Sequence, residues 1–264
     1  MSFAATVLLG AIAGFTIFLG LPIARLRRLR PGLQAFLNAL ATGILIFLLW
    51  DVLTHATEPI DTALDVAKDG NASEFVGLLI VFVVGLGVGL LSLVYFERLI
   101  IRRAARRTGS GAVSPLQLSL MIAIGIGLHN FSEGLAIGQS AQSGAIGLAT
   151  ILIIGFGLHN ATEGFGIAAP LTSGGVRPSW AFLGGAGLIG GGPTFLGTLL
   201  GYSLHSPETE VLFLALAAGS ILYVVSEMLH VGRRFSAREL AMWGLLIGFL
   251  LGYATDLIVT WGGA

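Results

Sequence analysis

Eight stretches of this chain run for about 20 residues with almost no charge, and that pattern leaves few folds open. They lie near 4–23, 33–53, 75–97, 115–140, 146–169, 179–203, 209–230 and 239–260. At about 1.5 Å of rise per residue each can carry a helix across the roughly 30 Å hydrocarbon layer of a bilayer. A membrane barrel would instead show alternating segments of about ten residues, so the spans are helices. Together they use nearly all 264 residues. The expectation is an all-α polytopic membrane protein, residues 1–264 forming a single transmembrane domain with no separate soluble unit. Charged residues make up 11% of the chain, where a soluble domain carries about 25%. The absence of Cys excludes disulfides, iron–sulfur clusters, thiolate metal sites and thiol catalysis.

The basic residues orient the spans. No basic residue precedes the first run, and Arg25, Arg27, Arg28 and Arg30 follow it, so it reads as a span with its N-terminus outside rather than a cleaved leader. All thirteen Arg then fall on the inner side and Lys68 alone on the outer. Eight spans place both termini outside, in a multi-pass cell membrane, the cytoplasmic membrane if the source is prokaryotic. The outer side is acidic. Glu58, Asp61, Asp65, Asp69 and Glu74 lie between the second and third runs, with Glu208 and Glu210 opening the seventh. They are read as a solvated loop or as a vestibule that concentrates cations.

Ionised groups within a bilayer are costly, at about 2.5–3.5 kcal/mol on insertion scales, so the few found inside the spans carry the functional reading. The fourth run contains His129-Asn130-Phe131-Ser132-Glu133-Gly134 and the fifth His159-Asn160-Ala161-Thr162-Glu163-Gly164. The motif His-Asn-x-(Ser/Thr)-Glu-Gly is thus repeated, each time about midway along its span. A short connection makes the two helices antiparallel neighbours, whose midpoints meet at one depth. His129 and Glu133, like His159 and Glu163, are i and i+4 and project from one helix face. Two imidazoles and two carboxylates suit Zn, Fe, Mn, Co, Ni or Cd as divalent ions, and the lack of thiolate argues against monovalent copper. Asn130 and Asn160 can add amide oxygens, and Ser132 and Thr162 can line a polar path. A plain interhelical hydrogen bond is the alternative for one such pair, but packing seldom needs the same six residues twice.

Other polar residues are secondary candidates. Glu227 and His230 are i and i+3 on the seventh run, Glu227 as a pathway residue and His230 as an exit ligand or interfacial side chain. Asp51 and His55 end the second run, again i and i+4, and are read as interfacial solvated residues or as a candidate entrance. Glu97, His205 and Asp256 sit at span ends, where solvation is the default. The glycines of the third and sixth runs let helices pack closely, and Gly190-Gly191-Gly192-Pro193 also permits a break in the helix.

At the two motifs the sequence resembles the ZIP (Zrt/Irt-like) family of divalent metal transporters, with eight spans and the metal motif on spans four and five. The resemblance implies a 3+2+3 arrangement with inverted repeats, a metal site between the fourth and fifth spans, passage of the ion to the cytoplasm, and a homodimer. It implies His129, Asn130 and Glu133 as fourth-span ligands, His159, Asn160 and Glu163 as fifth-span ligands, and Glu227 as a pathway carboxylate in Gly219-Ser220-Ile221-Leu222-Tyr223-Val224-Val225-Ser226-Glu227. Many members have Pro before the motif Glu, where Ser132 and Thr162 stand here. Many also have a sixth-span Glu before Pro, where this chain has Gly192-Pro193, and a His-rich third loop, which here holds Arg and no His. The expected function is transmembrane transport of a divalent ion, zinc foremost, with the metal as substrate and no catalytic cofactor, no enzymatic activity and no nucleic-acid partner. The competing readings are an intramembrane metalloenzyme or haem protein on the same His residues, and a proton or solute carrier using Glu133, Glu163 and Glu227.

Overall fold

The computed structural model describes residues 2–26, 30–68, 70–96, 98–99, 114–142, 146–203, 206–233 and 237–261. Among them the regular structure is helical. The first helix, Phe3–Arg25, starts on a Ser2 cap and changes character at Thr16, ending as a 3₁₀ turn over Leu21–Arg25. The others are Pro31–Ala67, Ser73–Phe96, Pro115–Gln142, Ile146–Ser173, Trp180–Gly201, Pro207–Gly232 and Arg238–Trp261, the second to eighth helices. Among the described residues seven are long and apolar enough to cross a membrane. The fifth, with 28 residues, has the same length as the fourth.

One sequence expectation is corrected. The second helix continues for 37 residues through Pro59 to Ala67, so Glu58, Asp61 and Asp65 lie on a helical extension and not in a loop. At about 1.5 Å per residue this helix is far longer than the hydrocarbon layer is thick. Hydropathy marks where the membrane ends, whereas helical hydrogen bonding carries on into water. The sixth helix runs unbroken from Trp180 to Gly201 with Pro193 inside it, so the glycine run does not end the helix. Asp69 and Glu97 lie outside the described residues.

Packing follows the glycines. In lipid, helices associate by close van der Waals contact and not by hydrophobic exclusion, so small residues decide which backbones can touch. A Cβ on Gly134 would strike the carbonyl of Thr194, and one on Gly197 the carbonyl of Phe131, which presses the fourth helix on the sixth. Gly164 meets the carbonyl of Ile17, and Gly20 that of Ala161, in the same way between the fifth helix and the first. Gly43 meets Leu245 and Gly248 meets Leu40 between the second and eighth helices, while Gly219 meets Leu86 and Gly89 meets Leu216 between the seventh and third.

These contacts form a two-fold pattern. Exchanging helix one with six, two with seven, three with eight and four with five maps each contact onto another, at a constant register along each helix. An odd number of crossings separates the paired triplets, so the two halves run in opposite directions. The fold is therefore an all-α polytopic membrane architecture of three, two and three helices with inverted repeats. Close glycine contacts link the first, fourth, fifth and sixth helices, and likewise the second with the eighth and the third with the seventh. Leu45, Leu48, Ile122, Ile126, Ile167, Ile221, Val224 and Met228, from the second, fourth, fifth and seventh helices, belong to the main core.

The described Arg residues collect at one set of helix ends. Arg25 donates to the carbonyl of Pro178 at 2.6 Å and its guanidinium lies 4.7 Å from the Trp180 ring centroid, tying the end of the first helix to the start of the sixth. Lys68 pairs with Asp65 at the opposite ends.

Candidate metal centre

His129, Asn130 and Glu133 of the fourth helix meet Glu163 of the fifth. His129, Asn130, Glu133, Asn160 and Glu163 are all at most 3% exposed. His129 Nε2 lies 2.6 Å from Glu163 Oε1 across the helix pair and 3.9 Å from Glu133 Oε1 one turn along its own helix. The imidazole of one repeat is therefore closer to the carboxylate of the other repeat than to its own. Antiparallel crossing at the motif midpoints produces this arrangement, with the glycines after each Glu holding the fourth and fifth helices against the sixth and first.

The two asparagines have equivalent roles. Asn130 Nδ2 donates to Glu163 Oε2 at 3.1 Å and to the Gly190 carbonyl at 3.0 Å, and Asn160 Nδ2 donates to the Ala13 carbonyl at 3.1 Å. Neither amide oxygen has a hydrogen-bond partner among the described residues. With its N–H committed to a neighbouring backbone, each side chain keeps its oxygen as a fixed dipole, the kind of neutral ligand that divalent ions accept. Ala13 and Gly190 are two-fold equivalents. Ala13 lies three residues before Thr16, whose hydroxyl also bonds its carbonyl at 2.6 Å, and Gly190 lies three residues before Pro193.

A family model described as ZIP zinc transporter matches residues 103–255, more than half of the chain and both motifs. The chain belongs to the ZIP zinc transporter family. No curated protein matches it. Membership places the chain among divalent metal transporters, with the metal as the transported substrate. The ZIP match begins after the third helix, so the first three helices are placed by the two-fold contacts that equate them with the last three.

The remaining candidates are dispersed. Asp51 and His55 form a pair at 3.5 Å on the second helix, with His55 well exposed. Glu227 is half-buried and His230 exposed on the seventh. The register that equates Gly43 with Gly219 also equates Asp51 with Glu227, one toward each side of the ZIP fold. Thr162 is half-buried beside Glu163. The side chains of His159 and Ser132, and residue His205, lie outside the described set. Within that set no three His, Asp or Glu side chains by themselves form a group able to hold an ion. The acceptor carbonyls of Ala13 and Gly190 carry no sequence signal, because any residue supplies a carbonyl. Thr194, outside both motifs, is fully buried, and its hydroxyl has no partner among the described residues.

Proposed function

We propose that this ZIP protein moves a divalent transition-metal ion, zinc foremost with iron, manganese, cadmium, cobalt and nickel as competitors, into the cytoplasm through the paired motif. The ion binds His129, Asn130 and Glu133 from the fourth helix and His159, Asn160 and Glu163 from the fifth. Asp51 and His55 serve as the entrance, Glu227 as the pathway carboxylate on the other side, and His230 as the exit ligand. The termini lie outside, residues 1–264 work as one transporter domain, and two copies form a homodimer.

The observation that carries this reading is the approach of His129 Nε2 to Glu163 Oε1 between buried helices. Zinc binds nitrogen and oxygen at about 2.0–2.2 Å, so in a tetrahedral site the two ligand atoms stand about 3.3 Å apart. Shifts of less than about 1 Å would bring both the 2.6 Å and the 3.9 Å separations to that value. A doubly charged ion also balances the two carboxylates, which makes their burial in lipid tolerable. The Arg-bearing helix ends support the orientation.

The test is influx into liposomes loaded with a metal-sensing dye, comparing the six ions for the wild type and for a Glu133→Gln/Glu163→Gln variant. Saturable influx lost in the variant supports the reading, and the rank order gives the selectivity. Equal influx through both proteins overturns it.

A further inference from the structure

The first and sixth helices touch at both of their ends, and the inverted repeat makes the two ends directly comparable. The register that equates Gly20 with Gly197 equates Ser2 with Ser179, Phe3 with Trp180 and Arg25 with Tyr202. The serines cap their helices in the same way, Ser2 accepting from the Ala5 N–H at 3.3 Å and Ser179 from the Phe182 N–H at 3.1 Å. Each cap is followed by an aromatic residue that meets the far end of the other helix. At one side of the fold the rings of Phe3 and Tyr202 meet edge to face, with centroids 5.3 Å apart. At the Arg-bearing side the Arg25 guanidinium lies 4.7 Å from the centroid of the Trp180 ring.

Two rings are therefore enough to close this contact, and the charge at one end needs its own account. Arg25 is half-buried, and its Nη1 donates to the Pro178 carbonyl at 2.6 Å. Both of its partners are neutral, and no carboxylate pairs with it among the described residues. Carbonyl and ring fix the plane of the guanidinium while its other N–H groups stay available to an anion. Arg177, next to Pro178, is exposed and also lacks a carboxylate partner among the described residues. Trp180 is 60% exposed, as suits an indole at headgroup level. Beyond it the sixth helix is bare, since a Cβ on Gly184 or Gly185 would meet nothing within 4 Å, and the next large exposed side chain on that face is Leu188.

We infer that Arg25, Arg177 and Trp180 form a binding site for an anionic phospholipid of the Arg-bearing monolayer, its phosphate on the two guanidinium groups and an acyl chain along the bare stretch of the sixth helix. Charge complementarity selects the occupant. Two cations without carboxylates stand at the headgroup layer, where basic clusters between helices receive anionic lipids, and a guanidinium fork matches phosphate oxygens in pairs. A bound lipid ties the end of the first helix to the start of the sixth, the two helices that Gly20 and Gly197 press onto the motif helices. The site stands apart from the metal centre and does not depend on the transport reading.

The test is thermal unfolding of the purified protein in a neutral detergent, titrated with short-chain phosphatidylglycerol, with phosphatidylcholine of the same chains, or with inorganic phosphate, while native mass spectrometry counts bound lipid. Phosphatidylglycerol is expected to raise the midpoint saturably and to stay bound, and phosphatidylcholine and inorganic phosphate to do neither. Arg177→Gln is expected to weaken phosphatidylglycerol binding about tenfold, the effect of one lost charge-assisted hydrogen bond. Arg25→Tyr, which copies the equivalent Tyr202 and keeps a ring at the contact, is expected to weaken it at least as much. Arg238→Gln, at the exposed start of the eighth helix on the same side, is expected to leave binding unchanged. Equal responses of the wild type to the two lipids overturn the proposal, as does equal binding by Arg177→Gln and Arg238→Gln. An equal midpoint shift with inorganic phosphate alone overturns the lipid assignment. If Arg177→Gln fails to fold, Arg25→Tyr decides, and wild-type affinity in that variant overturns the proposal.

Discussion

Asn130 and Asn160 each donate an amide N–H to a main-chain carbonyl on a flanking helix, at Gly190 and at Ala13, and the two acceptors are equivalent under the inverted repeat. The motif asparagines thus act first as anchors between the central pair of helices and the two triplets. Their oxygens are left for other partners.

Replacing either asparagine by Ala removes such an anchor inside the membrane. Each change is expected to cost about 1–2 kcal/mol. Thermal unfolding of the detergent-purified protein measures it, and an unchanged midpoint for both variants contradicts the anchoring role. Asn130→Asp should be worse than Asn130→Ala, since it sets a carboxylate against Glu163 and the Gly190 carbonyl.

Gly20 and Gly197 occupy equivalent close contacts, each against a carbonyl of the opposing motif helix. Gly20→Ala and Gly197→Ala are each expected to destabilise by about 1–3 kcal/mol, because a methyl group forces backbones apart in a packed interior. Gly184→Ala meets open space, so it should be neutral or stabilising by up to about 1 kcal/mol through helix propensity. Equal effects at all three positions would sink the packing account.

Zinc should raise the unfolding temperature of the wild type in proportion to the logarithm of its concentration, and a chelator should reverse the shift. The Glu133→Gln/Glu163→Gln variant is expected to respond much less. A shift of the same size in that variant would move the main zinc site away from the motif.

Arg25 holds the first helix to the start of the sixth through the Pro178 carbonyl and the Trp180 ring. Arg25→Ala is expected to cost about 1–2 kcal/mol, combining a charged hydrogen bond with a cation–π contact. Trp180→Leu should remove only the second part. A double-mutant cycle on unfolding midpoints checks this, and simple additivity of Arg25→Ala and Trp180→Leu would mean that the two residues do not interact.

Much of the architecture was legible because lipid imposes one rule on every span, that the backbone must satisfy itself within a helix. Apolar runs near 75–97 and 239–260 correspond closely to the helices Ser73–Phe96 and Arg238–Trp261. The run near 33–53 understated its helix, since the turns carrying Glu58, Asp61 and Asp65 are stabilised in water where hydropathy gives no signal. Of the candidate centre, the duplicated motif singled out His129, Asn130, Glu133 and Glu163, the residues that the fold brings together. Asp51, His55 and His230 were readable only as polar residues near span ends, and they stay apart from the central cluster.

The sequence by itself determined the helical spans, the sidedness of the Arg residues and the presence of two matched motifs, because each depends on the order of residue types along one chain. Tertiary structure alone decided that His129 faces Glu163 more closely than Glu133, that Asn130 and Asn160 are anchored on Gly190 and Ala13, and that Arg25 meets Trp180 where its counterpart Tyr202 meets Phe3. These are relations between helices. They are set by how closely glycines let backbones approach and by which carbonyls face the gap, and no local pattern of side chains encodes either.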